Sequence, residues 1–316
     1  MKRPLVSVVL PTYKRPGKLR DAVDSVLGQT YDPVELVVVD DHSPTPASET
    51  LSDTAFGDTR GRIIRHVDNR GANEARNTGI EASNGEYVAF LDDDDTWRPK
   101  KLAEQVSTFR ESGSAVGVVY TGTEYVYDDY SRSYVYTLSG DVTTDLLQGG
   151  KLGEFTTLMV QRDVIAKAGL PDTRFPSWQD RDWMIRLSRH CEFGVVTEPL
   201  TVRNLQMDNE SISDNFEAKR DVSYPLLLEK HRETAGEYGL EDEFVAATSE
   251  ALGRTALKYG YYDDARKYLL KALYCDPTKQ SRWAYSLASL GGVFTYRPAK
   301  ELVRIFHEVR DRPTVR

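Results

Sequence analysis

The chain has 316 residues, 40% of them hydrophobic and 28% charged, and its 49 acidic against 41 basic residues leave a formal net charge of −8. That length exceeds the roughly 100–200 residues of one ordinary domain, so a large domain with a smaller one is expected, and the composition is that of a folded globular chain. A pI near 5.3 and a mean hydropathy of −0.51 exclude a general affinity for nucleic-acid backbones and a membrane-embedded body, so an anionic ligand would need a local, organised site.

The first fifteen residues, MKRPLVSVVLPTYKR, open on basic residues, but their apolar stretch is six residues long and ends at Pro11, too short for a secretory signal. No run approaches the roughly 20 apolar residues of a spanning helix, so any membrane contact would be peripheral. The two cysteines, Cys191 and Cys275, have no Cys or His neighbour at metal-site spacing, and a reducing cytoplasm is the expected compartment.

From residue 5 onward, short apolar and β-branched runs alternate with helix-period segments, the pattern of an α/β fold around a mostly parallel sheet. The expected strands are 5–10, 35–40, 62–67, 86–92 and 115–121, apolar enough to be covered on both faces. Between them, helices are expected over 17–29, where Leu19, Val23, Val26 and Leu27 share a face behind Pro16, over 71–83, and over 99–111 with Leu102, Val106 and Phe109 inward. Residues 120–138, rich in Tyr, Val and Thr, read as antiparallel strands, and 178–189 as a helix.

After about residue 213 only helical patterns remain, so a catalytic domain over 1–213 and an all-α region over 214–316 are expected. Leu252, Gly253, Gly260, Ala265, Leu269, Ala272 and Pro277 follow the tetratricopeptide helix-pair pattern, and Trp283 hints at a second, degenerate copy. Residues 297–316 carry six basic against three acidic residues, with Leu302, Val303, Ile305, Phe306 and Val309 at helical spacing. This is either a last helix closing the tail's core or a peripheral contact with an anionic membrane.

The strongest chemical signal is FLDDDDTW, an apolar strand running into Asp92, Asp93, Asp94 and Asp95. Like charges so crowded call for a cation or for solvent, and Mg2+ takes one or two carboxylates together with phosphate oxygens. Ligands of open α/β sheets bind beyond the carboxyl ends of strands, where this run would lie. The competing reading is a solvated acidic turn before the next helix. No G-x-G-x-x-G follows the first strand and no G-x-x-x-x-G-K-[ST] occurs, and the five histidines are scattered.

The order LVSVVLPTYKRPGKLRDAVDSVLGQTY, ELVVVDDHSP, NRGANEARNTGIEASNGEYVAFLDDDDTWRPKKL and WQDRDWMIRL strongly resembles glycosyltransferase family 2, inverting nucleotide-sugar enzymes of the GT-A fold, over about residues 5–205. The resemblance implies a nucleoside pocket at Pro11, Thr12 and Tyr13, where the alternative for Tyr13 is packing on the next helix. It implies a base contact by Asp41, with Asp40 tying down a loop, and backbone approach to the donor at Gly71; a helix cap is the alternative for both aspartates. Arg76 is either a donor contact or an ion-pair partner of the aspartates. In the D-x-D motif Asp92 and Asp94 would hold Mg2+ or Mn2+ and Asp93 would contact the ribose, with a register shift of one residue open.

Asp180 matches the family's general base; Gln179 stands where family members commonly carry Glu, so help from that neighbour is in doubt. Asp182 is its competitor, and either can be a first-turn charge favoured by the helix dipole. The implied reaction takes a UDP-linked hexose to a hydroxyl of a glycan or lipid-linked acceptor, with 203–214 as a candidate specificity loop. A sugar-phosphate nucleotidyltransferase and a non-catalytic protein using its helical tail are the rivals; the former normally shows a glycine-rich basic loop after the first strand, which PTYKRPGKL lacks.

Overall fold

The computed structural model describes residues 3–52, 61–205 and 215–296. They form two compact units, the first holding the described residues up to Leu205 apart from 147–149 and 175–177, the second holding those two segments and the residues from Asn215 onward.

In the first unit, strand–helix alternation lays down β1 (Val6–Thr12), α1 (Pro16–Leu27), β2 (Val34–Asp40), α2 (Ala47–Thr50), β3 (Gly61–Arg65), α3 (Ala72–Ala82) and β4 (Tyr87–Phe90). β1 pairs in parallel with both β2 and β4, and β2 with β3. Every residue of β1 and β4 is buried, as strands covered on both faces must be. β5 (Asp95–Trp97), α4 (Lys101–Glu111), β6 (Val116–Val126), β7 (Ser131–Tyr134), β8 (Met159–Gln161), α6 (Arg162–Ala168), α7 (Gln179–Ser188) and β9 (Glu192–Asn204) follow, with a short helix α5 (Thr143–Leu147) between β7 and β8. Among the described residues the sheet order is β3-β2-β1-β4-β8-β6-β9-β5, with β7 hairpinned on β6. The α/β class with a mostly parallel central sheet is as expected, and the Tyr-rich stretch forms the antiparallel β6–β7 pair.

Three strands escaped the sequence reading. β9 carries Pro199, a residue that argues against a strand interior, and its long parallel pairing with β6 shifts register around Gly122 and Pro199, which accommodates the proline. β5 and β8 are three residues long, too short to show a period. β3 also ends earlier than expected, at Arg65, leaving Val67 exposed.

Buried charge at the amino ends of the strands is fully used. Glu35 accepts hydrogen bonds from the Ser7 hydroxyl (2.5 Å), the Asn84 and Gly85 backbone N–H groups and Arg62 (3.0 Å), stapling β1, β2 and the turn into β4. α3 crosses β1 at Gly79, where a Cβ would lie 2.3 Å from Val9 Cγ1. Val9 is fully buried and β-branched and cannot move aside easily. Gly79→Ala is therefore expected to destabilise the unit by about 1–3 kcal/mol, read as a lowered denaturation midpoint with unchanged m-value; an unchanged midpoint would contradict this packing.

The second unit is helical. Its main helices are α9 (Tyr224–Glu237), α10 (Glu241–Tyr259), α11 (Tyr262–Cys275) and α12 (Gln280–Leu290), preceded by α8 (Phe216–Ala218). α10 and α11 are the expected tetratricopeptide-like pair: Gly253 lets Leu269 approach, a Cβ there meeting Leu269 Cγ at 2.7 Å, and Gly260 turns the chain at φ 82°. Arg282, at the start of α12, is fully buried and bound by Glu250 (3.1 Å) and Asp276, locking α12 onto the pair. Among the described residues no helix is long and apolar enough to cross a membrane. The membrane contact considered for 297–316, and residues 206–214 of the candidate specificity loop, lie outside the described residues.

Candidate active site

The chain leaves the buried β4 at Phe90 and enters the acid run, which ends in β5. Side-chain exposure alternates along it: 25% at Asp92, 6% at Asp93, 26% at Asp94 and 3% at Asp95. The run crosses a tight turn, closed by the Asp95 N–H on the Asp92 carbonyl (3.1 Å), which leaves the Asp92 and Asp94 side chains partly open and turns Asp93 and Asp95 inward. Asp93 faces inward to the end of β1, accepting from the Thr12 hydroxyl (2.7 Å), the Tyr13 N–H (3.2 Å) and Arg15 (2.8 Å). Arg15 also reaches Asp94 at 3.1 Å. Asp92 pairs with Arg76 at 2.6 Å, and Asp95 with Arg203 at 3.4 Å.

Proton affinities follow these partners. Burial works to raise the Asp92 carboxyl, but the charge and hydrogen bond of Arg76, with Arg203 and Arg15 further off, outweigh it and hold Asp92 below the ordinary carboxylate range. At Asp93 burial wins over Arg15 and Thr12 and pushes the group up. Asp95 is pushed well up, chiefly by burial, with the charges of Asp92, Asp94 and Glu154 adding to it against Arg203.

Beyond β2, Asp40 accepts from the Ser43 N–H (2.7 Å), the Ala47 N–H (3.0 Å) and Arg65, a closed structural arrangement that holds the loop into α2. Asp41 binds His66 Nδ1 (2.7 Å) and the Arg70 and Gly71 N–H groups (2.8 Å each), so it too organises a loop, the one before α3. Gly71 opens α3 at φ 90°, where a Cβ would be strained. Among the described residues, three non-glycine residues are left-handed: Lys14 after β1, His42 after β2 and Trp178 before α7, at φ 61–68°. Such strain collects where loops present functional groups. A cavity of about 110 Å³, lined by Thr12, Lys14, Arg15, Ser43, Pro44 and Thr45, opens between the ends of β1 and β2.

Asp180 lies in the first turn of α7, and an aromatic cluster places it. Trp183, one turn on, stacks on Phe155 (5.4 Å) and meets Phe90 edge-on (5.3 Å), while the Arg76 guanidinium covers the other reach of Phe155 at 4.2 Å. Thus Phe90 at the end of β4, the guanidinium partner of Asp92 and the helix bearing Asp180 share one core. Asp180 is half-buried, accepts from the Arg181 N–H at 2.8 Å and forms no ion pair among the described residues. Burial, then the charge of Glu154, raise its carboxyl above the usual range against the pull of the Arg181 N–H and Arg76. Asp182 is fully buried and bound to Arg186 (2.9 Å), which also donates to the carbonyls of Ala168 (2.6 Å) and Leu170 (2.9 Å) at the end of α6. Asp182 therefore serves as an anchor for Arg186.

Four buried polar atoms around this place, Arg76 Nε, Asp95 Oδ2, Glu154 Oε2 and Thr156 Oγ1, have no hydrogen-bond partner. Buried polar groups are nearly always paired, so this cluster marks a place for a polar ligand. No group of three or more His, Cys, Asp or Glu side chains gathers as a ready metal cage among the described residues. The residues present nevertheless fit Mg2+ or Mn2+: Asp92 and Asp94 present partly open carboxylates, and a diphosphate supplies the other oxygens such ions prefer. Sequence reading missed Arg15 and Glu154, and placed Arg203 only in the candidate specificity loop, whereas it lies in β9 and pairs with Asp95. Only Arg15, three residues past β1 in PTYKR, gave a usable signal, because the partners of Arg203 and Glu154 come from distant strands.

Residues 7–168 match the family model described as Glycosyl transferase family 2. The glycosyltransferase TuaG of Bacillus subtilis (strain 168), provisionally named for teichuronic acid biosynthesis, is 30% identical over 216 residues, covering 67% of this chain and 83% of its own. An uncharacterised glycosyltransferase of Haemophilus influenzae is 26% identical over 275 residues, 83% of this chain and 90% of its own. Among solved structures, S. aureus TarS 1-349 in complex with UDP-GlcNAc superposes with TM-score 0.57 at 16% identity, over 87% of this chain and 93% of that one. The mannosyltransferase PcManGT from Pyrobaculum calidifontis, in complex with GDP-Man and Mn2+, gives 0.58 at 16%, over 91% and 84%. Against a longer TarS structure the score is 0.62 at 15% identity, and this chain spans 53% of that chain's length.

Proposed function

This chain belongs to glycosyltransferase family 2, and from that premise we propose that it is an inverting, metal-assisted enzyme moving a hexose from a UDP-sugar to a hydroxyl of a glycan or lipid-linked acceptor, with Asp180 as general base. The observation that carries the reading is the alternation along the acid run, which turns Asp92 and Asp94 outward beyond β4, together with a separate half-buried carboxylate, Asp180, held on α7 by the Phe90–Phe155–Trp183 cluster. The two solved neighbours bound to UDP-GlcNAc and to GDP-Man with Mn2+ share the fold and support a sugar-nucleotide donor and a divalent ion. The relative named for teichuronic acid supports a cell-surface glycan as acceptor. We further take residues 1–213 as the catalytic domain and 214–316 as its helical appendage.

The chemistry divides between two sides. When bound, the metal, held by Asp92 and Asp94, would neutralise charge on the departing diphosphate. Arg15 and Arg76 add positive charge beside the same carboxylates. The Thr12–Asp93–Tyr13 bonds fix the turn that borders the cavity at the ends of β1 and β2, and on the family pattern the ribose contact goes to Asp93. Pro11 and Tyr13 shape that nucleoside side, and the one Asp41 oxygen bearing a single hydrogen bond, Oδ2, can still accept from a base N–H. On the other side Asp180, with no cation bound to it, takes the proton of the attacking hydroxyl at its carboxylate, and displacement from the face opposite the diphosphate inverts the anomeric carbon. Incubation with UDP-sugars and Mn2+ or Mg2+ tests the reading: slow, metal-dependent UDP release is expected, and the absence of release from every UDP-hexose and UDP-N-acetylhexosamine would contradict it.

A base must be deprotonated to act. With its carboxyl raised by burial and Glu154, Asp180 should be lost as base while pH is still above the ordinary carboxylate range, so kcat/KM should fall on the acid side from a higher pH than an exposed carboxylate would give. In Asp180→Asn that limb should vanish from the residual rate; an unchanged limb would assign it to another group.

A further inference from the structure

Beside this site the β6–β7 hairpin carries a dense set of tyrosines. Tyr125 meets Tyr134 edge-on at 5.4 Å, and Tyr127 stacks on Tyr130 at 4.5 Å with the rings 16° from parallel. Tyr130 is 60% and Tyr134 41% exposed, an arrangement of large rings that leaves apolar faces in water at a cost unless something covers them. The hairpin is tied to the acid run by an unbroken chain of contacts. The Tyr125 hydroxyl donates to Glu154 Oε1 (3.0 Å), Arg203 binds the same oxygen (3.1 Å), and Arg203 continues to Asp95 at 3.4 Å. Burial and the Glu154 charge raise the Tyr125 phenol, so it stays protonated as the donor in this chain. The second Glu154 oxygen, Oε2, is buried and has no partner.

We propose that the tyrosine hairpin and Glu154 form a binding subsite for a neutral oligosaccharide, the acceptor glycan, whose sugar rings lie on the exposed tyrosine faces and whose hydroxyl donates to Glu154 Oε2. Tyrosines suit this ligand because each offers an apolar face to the C–H face of a sugar and a hydroxyl at its rim, at the entropic cost of only two side-chain torsions. Asp128 and Asp129 lie in the hairpin turn, Glu124 is paired with Arg98 (2.6 Å) and Arg132 donates to the Tyr134 hydroxyl (3.3 Å), so charges of both signs nearly balance around the rings, a surround that suits a neutral glycan better than a polyphosphate. The orphaned carboxylate oxygen supplies the polar contact that orients the chain toward Asp180. The identification of this ligand as acceptor rests on the glycosyltransfer reading; the existence of a carbohydrate subsite does not.

The full chain titrated with cellohexaose and with chitohexaose, whose all-equatorial rings present apolar faces, tests the subsite by tyrosine chemical-shift changes. Millimolar binding of at least one is expected. It should weaken by about 5-fold or more in Tyr130→Ala/Tyr134→Ala, the scale of lost ring contacts, with UDP affinity in the presence of Mn2+ unchanged in that double variant, and it should weaken likewise in Glu154→Gln. The two tyrosines are exposed, so their loss should leave the thermal midpoint in place. Binding of neither oligosaccharide, or undiminished binding by the double variant, overturns the subsite. Oligosaccharide binding by a chain that binds no UDP would uphold the subsite and sink the glycosyltransfer reading instead.

Discussion

Asp180→Asn should leave donor binding nearly intact and lower the transfer rate by about 100-fold or more, the scale of a lost general base. The amide keeps the size of the side chain in the first turn of α7 but cannot take a proton. It removes no ion pair, since Asp180 makes none among the described residues, so the aromatic cluster beneath α7 should hold its place. Asp182→Asn is the contrasting variant. It weakens the Arg186 anchor on the end of α6 and should reduce stability rather than act selectively on turnover. A large rate loss in Asp182→Asn at unchanged stability, with none in Asp180→Asn, would falsify the assignment.

Asp94→Ala should abolish metal-dependent turnover, a loss of about 100-fold or more if the ion's charge stabilisation goes with it. Asp94 is partly exposed and its ion pair is with Arg15 beyond the end of β1, so the fold should persist. Freed from Asp94, Arg15 keeps its bond to Asp93. The comparison with Asp95→Ala is informative in the opposite sense: Asp95 is buried and paired with Arg203, so its removal leaves a guanidinium short of a partner inside the sheet and should cost stability first. Turnover by Asp94→Ala at the wild-type rate under limiting Mn2+ would remove the metal role from this residue.

Much of this architecture was legible because the parallel half of the sheet is written in local patterns. β1, β2 and β4 are apolar runs, α1 opens on Pro16, and the acid run follows its strand directly. The tetratricopeptide-like pair was legible for the same reason: Gly253 and Gly260 mark a close crossing and a left-handed turn within one short stretch. What escaped was set by pairing across long sequence separations. Arg203 meets Asp95 over 108 residues, from a strand that its own proline disguised. The roles within the aspartate run were likewise hidden, because four identical residues carry no register until the backbone turns two outward and two inward. Asp41 is a subtler case: Asp40 ties down a loop as expected, but the Asp41 carboxylate also holds one, the Arg70–Gly71 backbone, from a segment 29 and 30 residues away that no local pattern connects to it.

The central claim, a sugar-nucleotide site built on the outward-facing aspartates, is tested most directly by titrating UDP into the chain with and without Mn2+, in wild type and in Asp94→Ala. Binding by wild type that depends on Mn2+ and is lost in the variant is the predicted result; UDP that does not bind, or that binds equally without the ion and to the variant, would contradict the account.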